Sequence, residues 1–361
     1  IRIGFIGALS GAAGVTVTSA RDGWVVWAKA INAKGGINGH PVEVLVGDDG
    51  TNDTRGVAIA RDFVENKGAI ALSWASNDIH GLAAYAQQKH IPILGVVEGQ
   101  DVWATNPMMF PTSTGVTGGW GTLRAVKEVG ATKVAVIYCV EAATCQTGAD
   151  AMKPYQDELG VKITYEAGAS LTQPDFTAEC IQARNSGAQA LIILMDQNSV
   201  VRFMQSCLRQ GYKPTPVGPS NDAQAKLPEM DGLLATGANF PWFLRSGAPG
   251  VDEYVQALQK FAPNMLTDGS AFQTLSWVAA KTFEHAVLNA TKTNNPDKLT
   301  ADDLLNGLWA MKGDTLDGLA QGGLARTYTK DQPAPKVYCT FVARLQNGKW
   351  SSSTGLTPLC R

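Results

Sequence analysis

Near-continuous apolar runs of strand length, separated by segments of helix length, constrain this chain more than any other feature. They recur at 2–7 (RIGFIG), 42–47 (VEVLVG), 69–73 (AIALS), 91–96 (IPILGV), 133–138 (KVAVIY), 161–166 (VKITYE) and 189–194 (QALIIL). A strand that is apolar without alternation is covered on both faces, which points to a parallel sheet between two layers of helix, a doubly wound α/β architecture. The segment 17–34 is a matching helix: Trp24, Trp27, Ala28 and Ile31 fall at i, i+3, i+4 and i+7, Lys34 sits in the last turn, and Gly35–Gly36 ends it. That spacing assigns Trp24 and Trp27 to the core in preference to ligand stacking.

The first alternating series ends near residue 115, and a second starts with a helix around 118–129 and the strand 133–138. Two similar lobes account for this better than one sheet of unusual width, and 361 residues suit two domains. After about residue 243 the alternation fades. Helical segments at 250–262, 268–290 and 301–312 precede a last strand at 337–343 (VYCTFVA), while 213–219 (KPTPVGP) and 313–323 read as loops or crossovers.

A formal charge of −2 leaves no basic excess for nucleic acid, which is not an expected partner. No apolar run approaches the ~18 residues that a membrane span needs. The chain opens on Ile1 in a strand-like segment, read here as a mature form whose leader has been removed. Six cysteines fall in three neighbourhoods, Cys139 with Cys145, Cys180 with Cys207, and Cys339 with Cys360. None has C-x-x-C spacing and the four histidines are scattered singly, so structural disulfides and an oxidising compartment are expected rather than a metal site. The competing reading is buried free thiols in a cytosolic protein.

Enzyme signatures do not emerge. The glycine-rich turn GALSGAAG (7–14) lacks G-K-[ST] and does not fit G-x-G-x-x-G, although its backbone N–H groups could face an anion, and no G-x-S-x-G elbow occurs. The acidic run DDGTND (48–53) reads as a solvated βα loop whose Asn52 or Asp53 caps the next helix, in preference to a magnesium site. No cofactor, metal or catalytic residue is expected. The third strand runs into SWASND (73–78), which places Ser73, Ser76 and Asn77 as small donors, with Trp74, at the start of a helix. Such a site suits a carboxylate. The alternative is that Ser76 or Asn77 merely caps the helix 78–89.

The segments IRIGFIGALSG (1–11), INAKGGINGHPVEVLVGDD (31–49), WASND (74–78) and IPILGVV (91–97) closely resemble the leucine/isoleucine/valine-binding family of type I periplasmic binding proteins. The likeness continues through KVAVIY (133–138), DFTAECIQARNSGAQALIIL (175–194) and QGYKPTPVGPS (210–220), so it covers essentially the whole chain. It implies two Rossmann-like lobes with parallel-rich sheets covered by helices, three crossovers forming a hinge, and closure around a ligand in the cleft. Lobe 1 would comprise 1–115 plus 243–323 and lobe 2 would comprise 116–242 plus 324–361. The implied protein is a periplasmic monomer that presents a small solute to the membrane permease of an ABC importer.

Carried over position by position, the resemblance puts the carboxylate-binding serine at Ser76, with Asn77 adjacent, and the positions that hold an amino group in relatives at Val97, Glu98 and Gly99. The usual Ala-Thr pair is missing there, and the acidic residue that some relatives carry in the second lobe is replaced by Ser220, followed by Asn221 and Asp222. Second-lobe wall positions match Ala143, Thr144, Asp196 and Gln197, and Phe272 matches an aromatic side wall. An amino acid would need Glu98, Asp196 or Asp222 against its ammonium group, because a desolvated charge left unpaired is costly. Without that contact, a cavity lined by Trp74 and Phe272 suits an aromatic or other hydrophobic acid, the favoured reading, with a hydrophobic amino acid next. A Rossmann-type oxidoreductase would need a cofactor fingerprint and a repressor a helix-turn-helix. A sensor of the same fold would differ only in its partner.

Overall fold

The computed structural model describes residues 1–10, 14–76, 79–96, 100–113, 118–218, 226–244, 247–268, 271–292 and 298–361. Two compact units divide the chain, Ile1–Gly115 with Arg245–Val337 and Val116–Leu244 with Tyr338–Arg361. Unit 1 opens with β1 (Arg2–Gly7), α1 (Gly14–Ala33), β2 (Glu43–Asp48), α2 (Asp53–Arg61), β3 (Leu72–Ala75), α3 (His80–Lys89), β4 (Ile93–Gly95) and β5 (Met109–Phe110). Unit 2 continues with α4 (Gly118–Glu128), β6 (Lys133–Cys139), α5 (Ala143–Asp150), α6 (Gln156–Leu159), β7 (Lys162–Ala169), α7 (Thr177–Asn185), β8 (Ala190–Leu194), α8 (Gln197–Arg209), β9 (Thr215–Gly218) and β10 (Leu234–Gly237). The chain returns to unit 1 for α9 (Pro249–Phe261), α10 (Met265–Asp268), α11 (Ala271–Ala290), α12 (Ala301–Trp309), β11 (Lys312–Asp314) and β12 (Arg326–Thr327). It ends in unit 2 with β13 (Cys339–Gln346), β14 (Lys349–Ser351) and β15 (Leu359–Cys360).

The strands of the main unit 1 sheet pair in parallel in the order β2-β1-β3-β4-β5. Every residue of β1 after Arg2 is buried, as a strand covered on both faces requires. In unit 2 the order is β14-β13-β10-β9-β8-β6-β7, with β15 also on β13. Strands β6 to β10 pair in parallel, and β13 runs antiparallel to its neighbours.

In unit 1, α1 and α11 pack closely. A Cβ on Gly23 would lie 2.6 Å from the carbonyl oxygen of Gln273, so only glycine fits that crossing. Beside it, Trp24 and Trp27 are fully buried and make edge contacts with each other and with Phe283. Each indole N–H is satisfied internally, Trp24 donating to Ser73 Oγ at 3.0 Å and Trp27 to Glu284 Oε2 at 2.9 Å. They are core residues, as their spacing implies.

The same crossing holds a buried charge network. Lys281 Nζ is 2.8 Å from Glu284, 3.0 Å from Glu253 and 3.1 Å from Asp317. Burial alone would lower its pKa, but Glu284 and Glu253 outweigh that and raise it. Next to it, His285 lies 3.0 Å from Asp314 and 3.2 Å from Asp317.

All three cysteine pairs are disulfides: Cys139–Cys145, Cys180–Cys207 and Cys339–Cys360. Two local expectations change. Within 213–219, read as loop or crossover, β9 forms, with Pro216 opposite Leu191. The β10 ladder reaches only Val217 and Gly218, so Pro216 is paired on one side alone, a setting that tolerates a residue without an N–H. Residues 324–337, assigned to lobe 2, group with unit 1. There β12 pairs with β11, and the Arg326 guanidinium donates to the Thr112 carbonyl at 3.1 Å.

The His285 contacts make stability depend on pH. Burial pulls its pKa down, but Asp314 and Asp317 outweigh burial and Lys281 and raise it above its ordinary 6.5. A raised histidine pKa contributes stability that is complete below the unfolded value and fades as pH rises through the folded one. Chemical denaturation between about pH 6 and 9 is expected to show this loss in the wild type and a flatter profile in His285→Gln.

Candidate functional site

The carboxyl ends of β2, β1 and β3 lie level, since Gly7 pairs with Asp48 on one side and Ala75 on the other. One residue further, Ala8 N–H still donates to the Ala75 carbonyl at 3.1 Å and Asp49 N–H to the Gly7 carbonyl at 3.2 Å. Asp49 and Ser76 are therefore the first residues beyond the sheet on the two strands flanking β1. In doubly wound sheets ligands bind at this edge.

The acidic run organises the surrounding loops. Asp48 Oδ1 accepts from the backbone N–H of Leu9 (3.0 Å), Ser10 (3.2 Å) and Gly50 (2.9 Å). Burial pulls the Asp48 pKa up, but these bonds and the Ser10 hydroxyl prevail and hold it below the usual value. The N–H groups of Leu9 and Ser10 in the glycine-rich turn thus already face an anion, the chain's own. Asn52 caps α2 by accepting from Arg55 N–H at 2.9 Å, one of the two capping assignments drawn from the sequence.

Ser73, Trp74 and Ser76 follow from β3 with alternate orientations. Ser73 is spent on the Trp24 indole. Trp74 is 1% exposed and packs beneath α2, where a Cβ on Gly56 would lie 2.7 Å from its ring. Its indole N–H has no hydrogen-bond partner among the described residues.

Ser76 is 6% exposed, and its Oγ likewise has no hydrogen-bond partner among the described residues. It does not cap the following helix. The α3 N-cap is Ile79, without a side-chain cap bond, and Ile79 N–H is met by Gln100 Oε1 at 2.9 Å. Burial raises the Asp49 pKa and the nearby Ser76 hydroxyl opposes that rise only in part, yet neither Ser76 Oγ nor Asp49 Oδ2 completes a hydrogen bond of good geometry. Asn77, Val97, Glu98, Gly99, Ser220, Asn221 and Asp222 lie outside the described residues.

In unit 2, Ala143 and Thr144 open α5 after β6, and Asp196 and Gln197 stand at the start of α8 after β8. Because β6 and β8 are parallel neighbours, these four positions share the carboxyl edge of that sheet. Ala143 is exposed and Thr144 half-buried. Asp196 is committed to capping: Oδ1 accepts from Asn198 N–H at 2.9 Å and Ser199 N–H at 3.2 Å, and Oδ2 accepts from the Ser199 hydroxyl. Phe272 is the second residue of α11 in unit 1 and is half-buried.

Sequence reasoning passed over two residues at this edge. Asp49, expected in a solvated loop, is instead fully buried beside Ser76 because α2 folds back over it, and Gly56 gives α2 room over Trp74. The available signal was the Asp48–Asp49 pair itself, since neighbours at a strand end point to opposite faces and one must turn inward.

A family model described as periplasmic binding protein matches residues 1–349. An amino acid binding protein of Pseudomonas aeruginosa is 29% identical over 177 residues, an alignment that spans 45% of this chain and 45% of that one. A branched chain amino acid ABC transporter protein from Thermus thermophilus, solved with bound valine, superposes with a TM-score of 0.84 at 15% identity, covering 100% of this chain and 96% of that one. A solute binding protein of an ABC transporter from R. palustris, in complex with benzoate, gives 0.74 at 13% identity, covering 100% and 97%.

The Gly56 contact is testable in the protein without ligand. Gly56→Ala forces a methyl group against the Trp74 ring, and overpacking of this kind costs about 1–3 kcal/mol. Urea unfolding followed by circular dichroism should show that loss, and a stability gain typical of Gly→Ala in a helix would refute the packing.

Proposed function

The chain belongs to the periplasmic binding protein family, and from that premise we propose that it is the extracytoplasmic substrate-binding component of an ABC importer, capturing a small hydrophobic carboxylic acid through Ser76. The family is one of binding proteins rather than enzymes. An aromatic acid is the favoured ligand. The proposal includes a membrane permease as partner, a monomeric state and a location outside the cytoplasm, which three disulfides suit.

The observation that carries the reading is the Ser76 hydroxyl. A buried polar group without a partner is destabilising, by about 1–3 kcal/mol, unless something else supplies the bond. Ser76 stands at the sheet edge where ligands bind and has no capping duty, so a ligand carboxylate is the partner that fits it. The capping role of Asp196, in which both oxygens already accept, supports a ligand without an ammonium group, because one of the three acids proposed to hold such a group is already engaged. The benzoate complex of the R. palustris protein is in keeping with that choice.

A hydrophobic amino acid is the second reading, favoured by the valine complex of the Thermus thermophilus protein. It requires Glu98 or Asp222 at the ammonium. A sensor with the same ligand would differ only in the protein that receives the signal.

A thermal-shift panel of benzoates, phenylpropenoates and hydrophobic amino acids separates the ligand readings, since a ligand selective for the folded state raises Tm. Stabilisation by the aromatic acids is expected, and stabilisation by amino acids alone would reject them. Titration calorimetry should then show Ser76→Ala weakening the best acid by about 1.5–3 kcal/mol, roughly tenfold to 150-fold. An unchanged Kd removes Ser76 from the site.

A further inference from the structure

Asp49 is a carboxyl with no exposure to solvent, one residue beyond the end of β2. Its Oδ1 accepts from Thr51 N–H at 2.9 Å. Its Oδ2 is turned under α2, 3.4 Å from where a Cβ of Gly56 would stand, and has no hydrogen-bond partner among the described residues. The adjacent side chain is Ser76, whose buried hydroxyl is also unpartnered among them. Two oxygen atoms, both out of water and side by side, thus have one mobile hydroxyl proton between them.

We propose that Asp49 is the positioning residue for Ser76 and that capture of a carboxylate there is accompanied by uptake of one proton from solvent onto Asp49. The inference rests on the reading of Ser76 as the carboxylate donor. With Asp49 ionised, the Ser76 O–H is drawn toward Oδ2, and a second carboxylate at Ser76 would place two anions on one hydroxyl. Once protonated, Asp49 donates its O–H to Ser76 Oγ, and Ser76 donates its own to the ligand. The donors then form a chain, with a single negative charge at its ligand end.

The surroundings favour this. Burial raises the Asp49 pKa above the ordinary carboxyl value, against the opposing pull of the nearby Ser76 hydroxyl and the Thr51 N–H bond. Among the described residues, Asp48 on its own strand and Asp53 on α2 raise it further. No cation among the described residues contributes to the shift, and Arg55 on α2 approaches Gly50 instead, its Nη1 lying 3.6 Å from where a Cβ would stand there. A bound carboxylate adds another negative charge on the same side.

The test uses benzoate and L-leucine as probes on the full chain. Titrations at about pH 5.5 and 7.5 keep both probe carboxylates ionised. For whichever probe binds, wild-type affinity should rise toward the lower pH, by up to about tenfold per pH unit, and calorimetry in two buffers of different ionisation enthalpy should register proton uptake. Asp49→Asn, neutral at every pH, should bind with little pH dependence and take up no proton. Wild-type binding without proton uptake overturns the proposal, as does pH dependence retained in Asp49→Asn. If neither probe binds, or if Asp49→Asn does not fold, carboxyl carbon NMR titration of Asp49 in ligand-free protein decides. Coupling to Ser76 requires the Asp49 midpoint to move up in Ser76→Ala, and an unmoved midpoint overturns it. Failure of both probes would count against the ligand reading, while the NMR result speaks to the Asp49–Ser76 pair alone.

Discussion

The parallel pairing of β1 on both sides is the constraint on which the rest of unit 1 depends. It brings residues 2–7, 43–48 and 72–75 to one level, so that Gly7, Asp48 and Ala75 end together. Every chain leaving that edge must then satisfy its backbone groups without a strand neighbour. Asp48 does this for the turn after β1, Asn52 for the start of α2, and Gln100 for the entry to α3. Against so much internal satisfaction, Asp49 Oδ2, Ser76 Oγ and the Trp74 indole N–H stand out as having no hydrogen-bond partner among the described residues.

A second constraint keeps unit 1 together although its sequence is interrupted. The return segment must dock α11 against α1, and Gly23 lets the two backbones approach closely. Lys281 then draws acids from α9, from its own helix and from the loop after β11. Such a network need not add net stability over an apolar core, but removing Lys281 would leave the buried Glu284 without its cation, a loss that typically costs about 3–5 kcal/mol. The network reaches the first segment through the Trp27 indole, which donates to Glu284, and through Lys34 just after α1, 2.6 Å from Glu253, and these two contacts tie the return segment to its seat on α1.

The elements legible in the sequence were those whose burial leaves a pattern. Strands such as β1, β6 and β8 read directly because both faces are covered and no polar residue interrupts them. β9 did not, because Pro216 and Gly218 carry turn signals that pairing overrides, and β10 (LATG) is too short and too weakly apolar to register. The helix α11 was legible as a helix, but not its buried lysine. A charged residue inside a segment buried almost all round signals an internal partner, and Glu284 three residues on was that partner. At the site, position alone left Ser76 balanced between cap and ligand donor. The cap geometry of Ile79 removes the first of these for Ser76, and dihedral angles at a helix start are not written in the sequence.

The chemistry of the ligand turns on which acids retain unused acceptor capacity. Asp196 follows β8 at the second sheet's edge, where an ammonium acceptor was sought, but both of its oxygens serve the first turn of α8. Recruiting it would compete with a cap contributing about 0.5–2 kcal/mol. Asp49 Oδ2 has no hydrogen-bond partner among the described residues, but it is buried under α2 beside the Ser76 hydroxyl. In the proposed reading it serves the carboxylate end and not an ammonium group. At the two sheet edges, Asp48 and Asp196 are thus spent on the protein's own backbone, and that is the ground on which the proposed ligand has one charged end and an apolar remainder.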